Sequence, residues 1–214
     1  MSHKIIIVSH EKYAEARERL LKELLWPRKN VIVVVNGSSE NHQDVLEDGT
    51  TILKTTKNLY EYTAFLVPKI LDACQEDAFL LLHDTCTLGP DFYWRAKASF
   101  ENFCGGITWM SKTGICNLCI FDRSVTEDAT DLFDRLEVLD KNVAICMEHN
   151  EHAASPKRFT GAKQRFLDVP VVDYGTEKPY ASGLERRVLY FPSLDLKKYF
   201  IRVHRSIETH PNVP

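Results

Sequence analysis

Residues 31–35, Val-Ile-Val-Val-Val, are apolar at every position, and this run limits the fold more than any other feature of the chain. A strand with one face in water alternates apolar and polar residues, whereas an unbroken apolar strand must be covered on both faces. Residues 5–8 (Ile-Ile-Ile-Val) and 78–82 (Ala-Phe-Leu-Leu-Leu) repeat the pattern, and residues 51–55 read as a third, shorter strand in the order of the chain. Helical spacing fills the gaps between them. Within residues 11–26, Tyr13, Ala16, Leu20 and Leu24 share a stripe with Leu21 and Leu25 beside it, and Pro27 ends the helix. Tyr62, Phe65, Leu66, Ile70 and Ala73 mark a second amphipathic helix, which Pro68 either kinks or pushes to a later start. Such alternation predicts an α/β fold, with a central mixed, mostly parallel sheet flanked by helices.

The second half is less regular. Phe92, Ala96, Phe100 and Phe103 mark a helix after Gly89-Pro90, and residues 107–110 and 115–121 read as strands. Leu132, Phe133, Leu136 and Leu139 mark a helix over 127–139, residues 150–161 a polar loop, and 188–191 and 200–203 short strands. At 214 residues the chain fits one domain, with residues 1–92 as a Rossmann-like nucleotide-binding half and 93–214 as a smaller half and tail.

Composition excludes several classes. Lys and Arg number 27 against 30 Asp and Glu, so bulk charge gives no hold on DNA or RNA, and no nucleic-acid partner is expected. The longest apolar runs are strand-sized, far short of the ~20 residues of a membrane span. Met1-Ser2-His3-Lys4 leads straight into a strand with no signal-peptide pattern, so a cytoplasmic protein is expected. Six cysteines include a single CxxC, Cys116 and Cys119, with His149 and His152 as the paired candidates to complete a zinc site. Reduced thiols are the default reading.

In a parallel sheet, ligands bind outside the carboxyl ends of the strands. Here those ends are Ser9-His10-Glu11, Asn36-Gly37, Thr55-Thr56-Lys57-Asn58 and His83-Asp84-Thr85, all polar. No GxxxxGK[ST] loop, GxGxxG turn or GxSxG elbow is present. A phosphate at this edge then needs another source of positive charge, and a divalent cation on a strand-end carboxylate is the usual one. Asp84 is the candidate: one carboxylate, with phosphate oxygens and waters, completes an octahedron around Mg²⁺ or Mn²⁺. The alternative use of Asp84 is to cap a turn or helix.

These segments resemble the GT-A fold of nucleotide-sugar glycosyltransferases. The likeness rests on the apolar strand 78–82, the His83-Asp84-Thr85 that ends it, the following stretch to Pro90-Asp91-Phe92, and Asn58-Leu59-Tyr60-Glu61-Tyr62-Thr63-Ala64 before the second helix. It spans about residues 4–122 and is nearest to the small glycosyltransferase domains encoded by large algal viruses, the chloroviruses. It implies a uridine diphosphate sugar donor, a glycan or glycoprotein acceptor, and a Mn²⁺ or Mg²⁺ cofactor. One departure is plain: the family's Asp-x-Asp is reduced to the single acid Asp84.

The resemblance also suggests roles. Ser9, His10, Glu11 and Asn36 would face the base and ribose, Asn58 and Tyr62 would bond to or stack on them, and His83, Asp84 and Thr85 would meet the diphosphate. His204, or His210, would join Asp84 on the metal. An inverting reaction needs a carboxylate to take the acceptor proton. Asp128, in a Glu127-Asp128 pair expected at a helix start, ranks first and Glu148 second, with Asp122 a further candidate; Trp94 and Trp109 would line an acceptor pocket. Each residue has a local alternative: a cap for Ser9 or His10, turn chemistry for Asn36-Gly37, core packing for Tyr62 and the tryptophans, and a helix-dipole role for the acidic pair. A nucleotide-binding or protein-interaction module of the same fold, without catalysis, is the alternative function.

Overall fold

The computed structural model describes residues 2–73, 77–112, 117–133, 136–140, 162–177 and 186–200. Strand β1 (His3–His10) passes through a 3-10 turn, Glu11–Tyr13, into helix α1 (Ala14–Glu23). Strand β2 (Val31–Asn36) follows, then β3 (His42–Val45) and β4 (Thr51–Thr55). A 3-10 segment, Tyr60–Leu66, runs into the one-turn helix α2 (Val67–Ile70) and on to β5 (Ala78–His83). Next come β6 (Cys86–Leu88), α3 (Phe92–Glu101), β7 (Ile107–Trp109), β8 (Cys119–Phe121) and α4 (Arg123–Phe133). Strands β9 (Gln164–Phe166), β10 (Val172–Glu177), β11 (Arg186–Phe191) and β12 (Leu196–Tyr199) complete the described elements.

The larger sheet has eight strands in the order β3-β4-β2-β1-β5-β8-β7-β9. Strands β4, β2, β1 and β5 are mutually parallel, while β3 and β8 run against their neighbours and β7 pairs parallel with β9. This is the mixed, largely parallel sheet expected of the apolar runs. Successive residues of a strand point to opposite faces, so an unbroken apolar run feeds two cores. Ile6, Val8, Ile32, Val34, Phe79 and Leu81 face Tyr62, Phe65, Val67 and Val125 on one side. Ile5, Ile7, Val33, Leu80 and Leu82 face Leu20 and Leu24 of the first helical stripe, Phe92, Ala96 and Phe100 of α3, and Phe191 and Leu196 on the other. A smaller antiparallel sheet, β10-β11-β12-β6, joins the second core through Leu189, Phe191 and Leu196.

Several local expectations shift for physical reasons. Helix α1 stops at Glu23, because Leu24 turns extended while its N–H still bonds the Leu20 carbonyl. Trp26, expected at the helix end, instead donates its indole N–H to the His3 carbonyl at 3.2 Å and packs on Phe100. Pro68 sits in the first turn of α2, where its missing N–H costs nothing, so the residues before it take a 3-10 path. The connection from β2 to β4, where a turn or loop is expected at Asn36-Gly37, also holds the strand β3. The helix expected over 127–139 begins at Arg123, where the Asp122 carboxylate accepts the Ser124 N–H at 2.9 Å. The last described strand is Leu196–Tyr199, and residues 201–203, expected in a strand, lie outside the described residues, as does the expected loop 150–161.

Cys86 and Cys119 are buried free thiols and Cys104 is an exposed one; Cys74, Cys116, Cys146, His149 and His152 lie outside the described residues. No helix among the described residues is long and apolar enough to cross a membrane.

Phe121 is fully buried, edge-on to Phe65 at 4.9 Å and stacked near Phe79 at 5.6 Å, so it joins β8 to β5 and to the segment over them. Phe121→Ala should destabilise the fold by about 3–5 kcal/mol, since the site cannot collapse to fill the hole. Leu25→Ala, at an exposed position, should change stability by less than about 0.5 kcal/mol. Urea denaturation of the two variants separates these outcomes.

Candidate functional site

The parallel strands bring their carboxyl ends to one edge. Register places His10 beside Asn36, Asn36 beside Thr55, and Val8 beside His83. The chain fills the sheet outward from β1 through β2 to β4, then crosses back to lay β5 on the other side of β1. That reversal is a topological switch point, the place where open α/β sheets hold their ligands. Ser9 and Asp84 meet there, side chain to side chain.

Asp84 follows the last residue of β5, with its backbone N–H on the Val8 carbonyl at 3.1 Å. The side chain is only 6% exposed, and Ser9 donates its hydroxyl to Oδ2 at 2.9 Å. Two residues on, the chain enters β6, which pairs antiparallel with β12 and sets Lys198 opposite Cys86. Lys198 is 9% exposed, and its ammonium donates to the Thr85 hydroxyl. The Thr85 carbonyl accepts the Tyr199 N–H at 3.1 Å. The Arg19 guanidinium ties α1 to β6 through the Thr87 hydroxyl at 2.5 Å and the Cys86 carbonyl at 2.9 Å. Burial pushes the Asp84 carboxyl above its ordinary value, against the opposing pull of the Lys198 charge, the Ser9 hydroxyl, the Thr85 N–H and the Arg17 charge. Burial raises the neighbouring Cys86 thiol in the same way.

The residues flanking this edge hold the loops. The His10 imidazole accepts the Lys12 N–H through Nδ1, closing the 3-10 turn after β1. Its Nε2 lies where a Cβ on Gly37 would fall, at 2.8 Å, and Gly37 has φ +68°, so this turn requires glycine. Glu11 accepts the Ser38 hydroxyl at 3.1 Å. Asn36, only 2% exposed, donates its amide to the Tyr60 carbonyl at 2.7 Å, pinning a non-glycine residue at φ 54°. Its Oδ1 is buried without a hydrogen-bond partner among the described residues. His83 is half-buried at the end of β5.

The structure thus gathers Ser9, His10, Glu11, Asn36, His83, Asp84 and Thr85 at one edge. Of the other candidates, Asn58 stays near this edge, next to Lys57, whose carbonyl accepts the Gly37 N–H at 3.0 Å, and the described rest lie elsewhere. Tyr62 lies wholly inside the first core, against Phe65 at 6.3 Å, so neither ring face is open to a base. Asn58 is half-buried, and its backbone is engaged with the Glu137 carbonyl and the Leu139 N–H. Trp109 is buried and directs its indole N–H to Gln164, whereas Trp94 is exposed beneath the Lys97 ammonium. Asp122 is engaged by Gly106 and Ser124. Because β8 runs antiparallel and sets Phe121 beside Phe79, α4 begins at the sheet edge opposite Asp84. Asp128 is therefore mid-helix rather than at a helix start; its side chain lies outside the described residues, as do Glu148, His204 and His210. Lys198, absent from the sequence reading, is the residue this edge adds.

Among the described residues no group of three or more His, Cys, Asp and Glu side chains converges as a metal cage. Asp84 offers one carboxylate at this edge, and a Mg²⁺ or Mn²⁺ ion there would need its remaining ligands from outside the described side chains. Compared with known proteins, the chain matches no protein-family model and no curated relative.

The buried Asp84 carboxyl has a measurable consequence. With its folded value above its unfolded one, the native state keeps the proton longer, so stability falls as pH rises through that interval and is level above it. Compared with Asp84→Asn, the metal-free wild-type chain should lose stability from about pH 4 upward. Urea denaturation of both proteins across pH reads the difference, and a pH-independent difference contradicts the assignment.

Proposed function

We propose that this chain is a glycosyltransferase of the GT-A fold, moving a sugar from a uridine diphosphate sugar to a hydroxyl of a glycan or glycoprotein acceptor. The observation that carries the reading is the Asp84 carboxylate, buried and oriented by Ser9 at the carboxyl-end switch point of a parallel sheet. Burying a carboxylate at a strand end has a cost that a structural turn would avoid by facing solvent. Carboxyls perturbed by burial in such positions are found at functional sites.

The remaining edge residues suit the parts of a nucleotide sugar. The Asn36 Oδ1, buried and without a partner among the described residues, is an acceptor for the imide N–H of uracil. His10 and Glu11, at the same strand-end edge, would take the ribose hydroxyls. Thr85 and Asp84 lie where the diphosphate would rest. A Mn²⁺ or Mg²⁺ ion on Asp84 would neutralise the leaving diphosphate. Ser9 fixes the carboxylate that would hold the ion, and the two adjoining strands keep both residues in register. The base for the acceptor proton is assigned from the resemblance alone, to Asp128 or Glu148, and His204 as a second metal ligand has the same standing.

Calorimetric titration with uridine diphosphate, with and without Mn²⁺, tests the reading. Binding should occur and should tighten with Mn²⁺. Asp84→Ala should remove the Mn²⁺-dependent gain, at least about tenfold in Kd, or ~1.4 kcal/mol. A failure to bind in both conditions rejects the proposal. Binding without sugar transfer or donor hydrolysis across a panel of donors and acceptors selects the non-catalytic nucleotide-binding module instead.

A further inference from the structure

The proposed donor edge already contains a buried positive charge. Lys198 faces inward because β12 alternates: Leu196 and Lys198 share the face that Lys197 does not. The residue is nine-tenths buried. An ammonium offers three donors. Among the described residues this one makes a single hydrogen bond, to the neutral Thr85 hydroxyl, and forms no ion pair. Asp84 acts on it through space, and Arg17 adds a second positive charge within electrostatic reach of the same carboxylate. An ammonium with one protein acceptor has donors left for a ligand. It sits at the switch point, beside the two residues that would meet a diphosphate.

We propose that Lys198 is a diphosphate-binding residue of this site, so that part of nucleotide binding proceeds without a metal ion. This deepens the nucleotide-sugar reading and rests on it. Anionic phosphate oxygens supply the acceptors that the ammonium lacks, as a lysine commonly does for phosphate. Thr85 holds the side chain in place, and the ladder between β6 and β12 fixes its height above Asp84. At the end of β5 one acid, Asp84, stands where the resembling family carries two, which leaves less negative charge to counter. A resident lysine and a cation recruited by Asp84 can then share the diphosphate between them.

The test is calorimetry on the full chain with two probes, uridine diphosphate and uridine, in EDTA and in Mn²⁺. In EDTA the wild-type chain should bind uridine diphosphate at least about tenfold more tightly than uridine. Lys198→Met should abolish that preference and leave uridine binding unchanged, and Lys198→Arg should stay within about threefold of wild type. Should Lys198→Met fail to fold, Lys198→Gln, which keeps a donor for Thr85 without the charge, carries the same expectation. Equal affinity of the wild type for the two probes in EDTA overturns the inference even if no variant folds. Uridine diphosphate binding that requires Mn²⁺, or that survives Lys198→Met in EDTA, overturns this inference and leaves the nucleotide reading standing. Failure to bind in either condition overturns both.

Discussion

A strand that is apolar at every position cannot lie with one face in water. β1, β2 and β5 each carry such a run, at residues 5–8, 31–35 and 78–82, and most of the architecture follows from covering these runs twice. One face takes the 3-10 segment Tyr60–Leu66 with α2 and α4, and the other takes α1, α3 and part of the smaller sheet. Coverage of both faces leaves the ends of the strands as the outlet for polar chemistry. The pairing of β1 with β2 and β5 through six residues each sets those ends level. The side chains of Ser9 and Asp84 meet because a rigid ladder delivers them to the same height.

The polar cluster at that edge is an expensive use of the interior. Asp84 and Lys198 are both withdrawn from water, yet neither forms a close ion pair with the other. Replacing such groups with packed apolar side chains often leaves a fold as stable or more so. Contrast Lys4 and Asp77 at the other end of β5. There the ammonium meets the carboxylate at 2.6 Å and Ser2 adds a second hydrogen bond. Burial opposes ionisation of Asp77, but these bonds outweigh it and hold the carboxyl below its ordinary value. One end of the strand settles its charges; the other keeps them partly unsatisfied, which is the property a binding edge needs.

The sequence makes the parallel half of the sheet legible because continuous apolar runs admit few alternatives. Asp84 and Ser9 follow as residues just beyond two such runs. Strands set by pairing rather than by pattern were not legible. β3, His-Gln-Asp-Val, is exposed throughout and exists only because the backbone of β4 offers it a ladder. β6 and β9 are three residues long, too short for a period. Tyr62 shows the limit of reading function from residue type: its helical stripe equally described core packing, and the core is where it lies. Lys198 did carry a signal, an inward position two residues after Leu196, but its partner strand lies more than a hundred residues earlier. The register that joins them is a tertiary fact.

That separation has a consequence for how the site comes into being. Lys198 and Thr85 are 113 positions apart, against 75 for Asp84 and Ser9, whose strands pair directly in the larger sheet. Closing so long a loop costs entropy that only the finished packing of β12 against β6 repays. The carboxylate is therefore a property of the first sheet, and its balancing ammonium is a property of the completed molecule. The electrostatic character of the edge, acidic or mixed, reports whether the last strand has docked.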